Sequence, residues 1–184
     1  FEKKILRTDV YDSTGNEVEI ITVKQSEQRK KYIERLTLAL DYSGIGCVQF
    51  LVSQKDDSAC FLEFNPRLDA GNALPYSCGI DFTVQAIDVN RYLRGEIDSL
   101  PDYKNDYPEG KRIQWLLADF SGMLIAVKRR EISALQGTSW FFRILFALSR
   151  SPIHMTWSWK DPLPTLVMYK QEFSIIILKR IGFG

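Results

Sequence analysis

The sequence predicts an α+β protein: an antiparallel sheet with flanking helices, followed by a mostly helical C-terminal part. Three observations carry this. Two pairs of short β-branched or apolar runs, each split by a polar turn cluster, read as hairpins. Segments with apolar residues three and four apart, bounded by Ser, Asp and Gly, read as helices. Beyond residue 111 the apolar pattern becomes mainly helical.

The first hairpin pairs residues 4–11 with 18–23 across the turn cluster Asp12-Ser13-Thr14-Gly15-Asn16. Ser26 then caps a helix whose stripe is Tyr32, Ile33, Leu36, Ala39 and Leu40, with Gly44 just past its end. The second hairpin pairs Gly46–Ser53 with Ala59–Asn65 across the polar loop Gln54–Ser58. Residues 66–80 are loop with one helical turn. Asp81 caps a helix to about Arg94, stopped by Gly95. After a polar loop over 98–110, Arg112–Asp119 is expected as a strand, and Ser121 is expected to cap a helix to about Arg130. Thr138–Ser149 is expected as an apolar helix, and Asp161-Pro162 as the start of one running from Leu163 to Ile181.

Composition bounds the function classes. With 184 residues, 45% hydrophobic and 26% charged, the chain suits one ordinary domain, or one and a half, and a core hiding about 70% of its extended surface. No apolar run approaches the roughly 20 residues of a membrane span; the longest, Trp140–Leu148, is interrupted by Arg143. The opening Phe1-Glu2-Lys3-Lys4 is followed by no apolar signal region. A cytoplasmic location is expected, and the lack of an initiator Met suggests an excised piece. Net charge is +1, which argues against bulk nucleic-acid binding. The charge is uneven: residues 1–110 carry 13 basic and 19 acidic side chains, residues 111–184 carry 11 and 4. That split fits a phosphate-facing segment or an interface, or chance over solvated faces. Three cysteines, Cys47, Cys60 and Cys78, form no CxxC, and the single His154 excludes a His-rich zinc site from this chain.

The chemistry lies between Gly46 and Asp81. Strand side chains alternate, so Glu63 and Asn65 share a face, roughly 7 Å apart, with Phe61 expected beside them. On the partner strand Gln49 stands opposite the apolar face of Val48, Phe50 and Val52. If the apolar faces coincide, Gln49, Glu63 and Asn65 converge. Three oxygen-bearing side chains among apolar strands need partners, since unpaired burial costs a few kcal/mol each. A hard cation such as Mg²⁺ takes oxygen ligands, with few carboxylates when phosphates supply the rest. Arg67, two residues beyond Asn65, offers a guanidinium fork for phosphate. On pattern alone a solvated sheet face ending in an Asn-Pro-Arg turn competes with this reading.

The order Gly46-Cys47-Val48-Gln49-Phe50, then Phe61-Leu62-Glu63-Phe64-Asn65-Pro66-Arg67, resembles the C-terminal half of an ATP-grasp domain, most closely the carbamoyl-phosphate synthetase large-subunit branch. Asn72-Ala73-Leu74, Cys78-Gly79-Ile80-Asp81 and the Ser26–Tyr42 helix are similar in order, so the resemblance covers about residues 1–95. It implies ATP and Mg²⁺ as cofactors, with two ions and Mn²⁺ as a substitute. Gln49, Glu63 and Asn65 are the implied metal ligands, Glu63 bridging both ions. Arg67 is the implied phosphate-stabilising residue, and Arg67 and Asn72 the implied nucleotide contacts. The implied reaction activates a carboxylate as an acylphosphate, which an amine, thiol or similar nucleophile attacks.

The domain reading is a C-terminal ATP-grasp lobe over 1–95 and a helical or α+β extension over 96–184. The N-terminal lobe, with its phosphate-binding lysines and Gly-rich loop, is expected elsewhere in the same protein, leaving the isolated chain inactive. The expected partners are therefore ATP, a carboxylate substrate and that lobe, with no nucleic acid. The alternative function is a non-catalytic binding or assembly module on the same scaffold. The helix Trp140–Phe146 is apolar almost all round, which suits a core or a homo-oligomer contact better than a membrane surface.

Overall fold

A computed structural model describes residues 1–11, 15–103 and 105–171. It is α+β, in the order β1 (Lys3–Thr8), β2 (Glu17–Thr22), α1 (Glu27–Ala39), β3 (Cys47–Val52), β4 (Ala59–Asn65), α2 (Ala73–Ser77), α3 (Phe82–Leu93), β5 (Arg112–Gln114), α4 (Leu116–Lys128), α5 (Ala134–Arg150) and β6 (Ile153–His154). A further helical stretch covers residues 163–171, at the place marked by Asp161-Pro162; the remainder of that expected helix lies outside the described residues. One sheet has the order β1-β2-β5-β6, and β3-β4 form a separate ribbon. No helix among the described residues is long and apolar enough to cross a membrane.

The chain forms two compact units, the first from Phe1–Lys4 with Ile21–Lys111, the second from Ile5–Ile20 with Arg112 onward. In the first, α1 starts where Ser26 accepts a hydrogen bond from the Arg29 amide, and α3 where Asp81 accepts from the Thr83 and Val84 amides. These side chains pair amides that a helix start leaves open. Gly95, at φ +70°, terminates α3 in the left-handed conformation that glycine adopts without strain. Glu2 ties the N-terminal strand down: its carboxylate accepts from the Ser26 amide at 2.8 Å and from Arg29 Nε at 2.7 Å.

The second unit differs from the sequence expectation in two places. The strand expected over Arg112–Asp119 stops at Gln114, and α4 begins at Leu116, so Ser121 lies inside a helix rather than capping one. Leu116, Leu117 and Ala118 are strong helix formers, and nothing between Gln114 and Ser121 breaks a helix. Helix α5 begins at Ala134, four residues before Thr138. Ser133 and Gln136 form a reciprocal capping box there, a Ser-x-x-Gln signal present in the sequence. The expected antiparallel pairing holds for β3 and β4, whereas β5 and β6 pair parallel, Ile113 against Ile153.

Gly137, Trp140, Ile144 and Ala147 form the buried stripe of α5, at spacings of three and four. Trp140 and Ile144 join Met123, Ala126 and Ile132 in one apolar cluster. Phe142 and Phe146 remain exposed, so α5 is only half a core helix.

Beside that cluster sits a buried ion network. Asp119 is fully buried. Arg7 donates from Nη1 to Asp119 Oδ1 at 2.8 Å and from Nη2 to Oδ2 at 2.5 Å, a bidentate fork, and from Nε to Glu19 at 2.8 Å. Trp140 Nε1 and Gln114 Nε2 also donate to Asp119, at 2.8 and 3.2 Å. Arg112 Nη1 donates to the second oxygen of Glu19 at 2.9 Å. Burial alone would lower the Arg7 pKa; its hydrogen bonds and charge pairing with Asp119 and Glu19 outweigh this and hold it above the ordinary arginine value. The sequence reading missed this network, because its directly bonded partners lie up to 112 positions apart.

Candidate functional site

The ribbon β3–β4 is built from Cys-Val-Gln-Phe-Leu-Val and Ala-Cys-Phe-Leu-Glu-Phe-Asn, both rich in β-branched and aromatic residues. Its loop closes through the Ser53 amide donating to the Ser58 carbonyl at 2.8 Å. Hydrogen bonds from Ser53 and Ser58 hold the Asp56 carboxyl below its usual range. Asp57 pairs with Arg29 at 2.9 Å, linking the loop to α1.

Register decides which side chains meet. Cys47 opposes Asn65, Val48 opposes Phe64, and Gln49 opposes Glu63. Directly opposed side chains share a face with Cβ atoms about 4.5–5.5 Å apart. Asn65 lies two residues along the same strand from Glu63, and its Nδ2 donates to Glu63 Oε1 at 2.8 Å. Gln49, Glu63 and Asn65 therefore gather on one face of the ribbon.

The register then shifts between Gln49 and Phe50, so that Phe50 opposes Phe61. This bulge corrects the expected position of Phe61: one extra residue on β4 resets the alternation. Its ring lies 6.3 Å from Phe50, which lies 6.5 Å from Tyr32 of α1. Phe61 thus joins the helix-side apolar group, away from Glu63.

Arg67 follows in a tight turn, its amide donating to the Asn65 carbonyl at 2.8 Å. The guanidinium donates to the Leu68 carbonyl at 3.2 Å and makes no ion pair among the described residues. The segment beyond is anchored by Asp69, which pairs with Lys3 and accepts from the Gly71 amide at 2.9 Å. Asn72 occupies the N-cap of α2, but its side chain makes no capping bond. Buried Leu74 fixes that short helix. The sequence reading missed the Lys3–Asp69 pair, for which spacing carries no signal.

Gly46 precedes β3. A Cβ there would lie 2.3 Å from the Phe64 ring and 3.3 Å from the Asn65 carbonyl oxygen. Gly46→Ala is expected to destabilise the first unit by about 1–3 kcal/mol through this overpacking, read as a lowered urea midpoint with unchanged slope.

The donor set suits a hard cation: one carboxylate and two amide oxygens, with no thiolate or imidazole among the three. No three His, Cys, Asp or Glu side chains gather to hold a metal among the described residues, and this trio contains only one residue of those types. An ion here would draw on one carboxylate and two neutral oxygens, leaving room for phosphate oxygens. Glu63 and Arg67 are exposed, and Gln49 and Asn65 half-buried. Leu51 and Leu62 of the same ribbon are 66% and 54% exposed, so the site is an open surface rather than an enclosed pocket.

The family model for the carbamoyl-phosphate synthase L chain, ATP binding domain, matches residues 12–93, a span containing all five candidate residues. Over that span the chain is similar to this ATP-binding domain family. No curated protein and no solved structure matches the chain.

Proposed function

We propose that this chain carries the metal-and-phosphate side of an ATP-dependent carboxylate ligase. The observation that carries the reading is the gathering of Gln49, Glu63 and Asn65 on one ribbon face, with Arg67, which makes no ion pair among the described residues, two residues on. Gln49, Glu63 and Asn65 would hold Mg²⁺ through their side-chain oxygens, Glu63 supplying the one negative charge. Bound Mg²⁺ supplies charge compensation for the γ-phosphoryl as it passes to the carboxylate substrate. The bond from the γ-phosphorus to the bridging oxygen of ADP breaks, and a carboxylate oxygen bonds to that phosphorus. An amine or similar nucleophile then displaces phosphate from the acylphosphate. The Asn65–Glu63 hydrogen bond holds the carboxylate in one orientation before metal arrives. The Arg67 guanidinium forks onto the transferring phosphate, and Asn72 at the start of α2 contacts the nucleotide.

Hydroxylamine traps acylphosphates as hydroxamates. The intact protein, given Mg-ATP and a panel of carboxylates, is expected to form a hydroxamate with at least one of them. ATP and metal binding without hydroxamate, or phosphate release, from any acid in the panel would favour the alternative of a non-catalytic module.

The open site also predicts how the 184-residue chain behaves alone. With one metal face and one arginine, it is expected to bind Mg-ATP with a Kd no tighter than about 1 mM. Calorimetry giving micromolar affinity would contradict the need for a second lobe to close over the nucleotide.

A further inference from the structure

The second unit holds a cavity of about 550 Å³ that the proposed ligase site does not use. Its size falls within the range of small-molecule pockets. Arg7, Tyr11, Ser139, Trp140 and Arg143 contribute to its lining, and no acidic side chain does so among the described residues. We propose that this cavity binds a small molecule with a carboxylate on a flat apolar body.

Arg7 and Arg112 are matched by Glu19 and Asp119 in the network already described, which sums to zero. Arg143 makes no hydrogen bond or ion pair among the described residues and adds one uncompensated positive charge to the wall. Arg7 spends three of its five N–H donors on Glu19 and Asp119, so two remain for a ligand. Arg143, with all its donors open among the described residues, and the two donors left on Arg7 match a planar anion.

The Trp140 ring is held by its Nε1 bond to Asp119, at 2.8 Å, and Asp119 is held in turn by the Arg7 fork. Tyr11 stands 6.0 Å from Trp140, tilted by 43°, and its hydroxyl accepts from Gln136 Nε2 at 3.4 Å. Gln136 is itself fixed by the capping box with Ser133. Tyr11, anchored in this way beside a Trp140 that is itself only 6% exposed, offers one rigid ring for a flat ligand at little ordering cost. The Ser139 hydroxyl adds a donor beside Arg143.

The test is calorimetric titration of the chain with phenylacetate, with its neutral amide phenylacetamide, and with inorganic phosphate. Phenylacetate is expected to bind in the low-millimolar range, and the other two at least about tenfold more weakly. Arg143→Gln is expected to weaken phenylacetate by about tenfold without changing the thermal melt, and Arg143→Lys to fall between, because an ammonium keeps the charge but loses the fork. Lys160→Gln removes an exposed cation of the same unit outside the cavity and is expected to change nothing. The proposal is overturned if phenylacetate shows no binding, or if phenylacetamide binds equally well. It also fails if phosphate binds as tightly, if Arg143→Gln has no effect, or if Lys160→Gln weakens binding as much as Arg143→Gln.

Discussion

Glu63→Ala is expected to abolish ATP-dependent turnover of the intact protein, by about a thousandfold or more, while leaving its thermal melt within a degree or two of the parent. Glu63 is the only carboxylate in the Gln49–Glu63–Asn65 trio and is exposed at the end of the ribbon. Removing it leaves phosphate charge uncompensated in the transition state, worth several kcal/mol, and about 4 kcal/mol is a thousandfold. Among the described residues the fold loses one exposed hydrogen bond, that from Asn65. Asn65→Ala is expected to cost less, since water can replace a neutral ligand. Arg67→Lys should lower turnover with little change in Mn²⁺ binding, because Arg67 is assigned to phosphate rather than to metal. Electron paramagnetic resonance of bound Mn²⁺, beside phosphate release, separates these effects. Normal turnover by Glu63→Ala would remove its catalytic assignment; a collapsed melt would make Glu63 a structural residue.

Asp119→Ala is expected to be the most destabilising single change in the second unit, by about 3–5 kcal/mol. The substitution strands the Arg7 fork and the Trp140 and Gln114 donors around a buried site, and each unpaired group bears its own desolvation cost. A double change, Arg7→Met with Asp119→Leu, is expected to be milder than Asp119→Ala alone, because it removes both charges and refills the space. Urea unfolding of the three proteins decides this. A loss under about 1 kcal/mol for Asp119→Ala would place the network among weak surface pairs.

The local signals that survive are those whose physics is confined to a few residues. Ser26 and Asp81 cap helices because a short oxygen side chain reaches amides two or three positions on, whatever surrounds it. Gly95 ends α3 because only glycine enters the left-handed region freely. The boundary between β5 and α4 was harder to read: a run such as Ile113–Ala118 fits a buried strand or a buried helix equally by hydropathy. The capping box at Ser133 was legible as a pattern, yet the stronger apolar signal began later, at Trp140.

For the candidate site, alternation along β4 placed Glu63 and Asn65 together, since strand side chains repeat every two residues. The sequence by itself determined the oxygen donors, their order, the Arg67 that follows and the α+β class. Only the tertiary structure decided that Gln49 stands opposite Glu63, because cross-strand register depends on how the loop closes and where the bulge falls. It also decided that Phe61 turns to the helix side, and that Arg7, Glu19, Arg112 and Asp119 meet. Charged residues far apart in the chain carry no spacing signal; they find one another only when the strands and helices that hold them pack, and burial then requires each charge to have a partner.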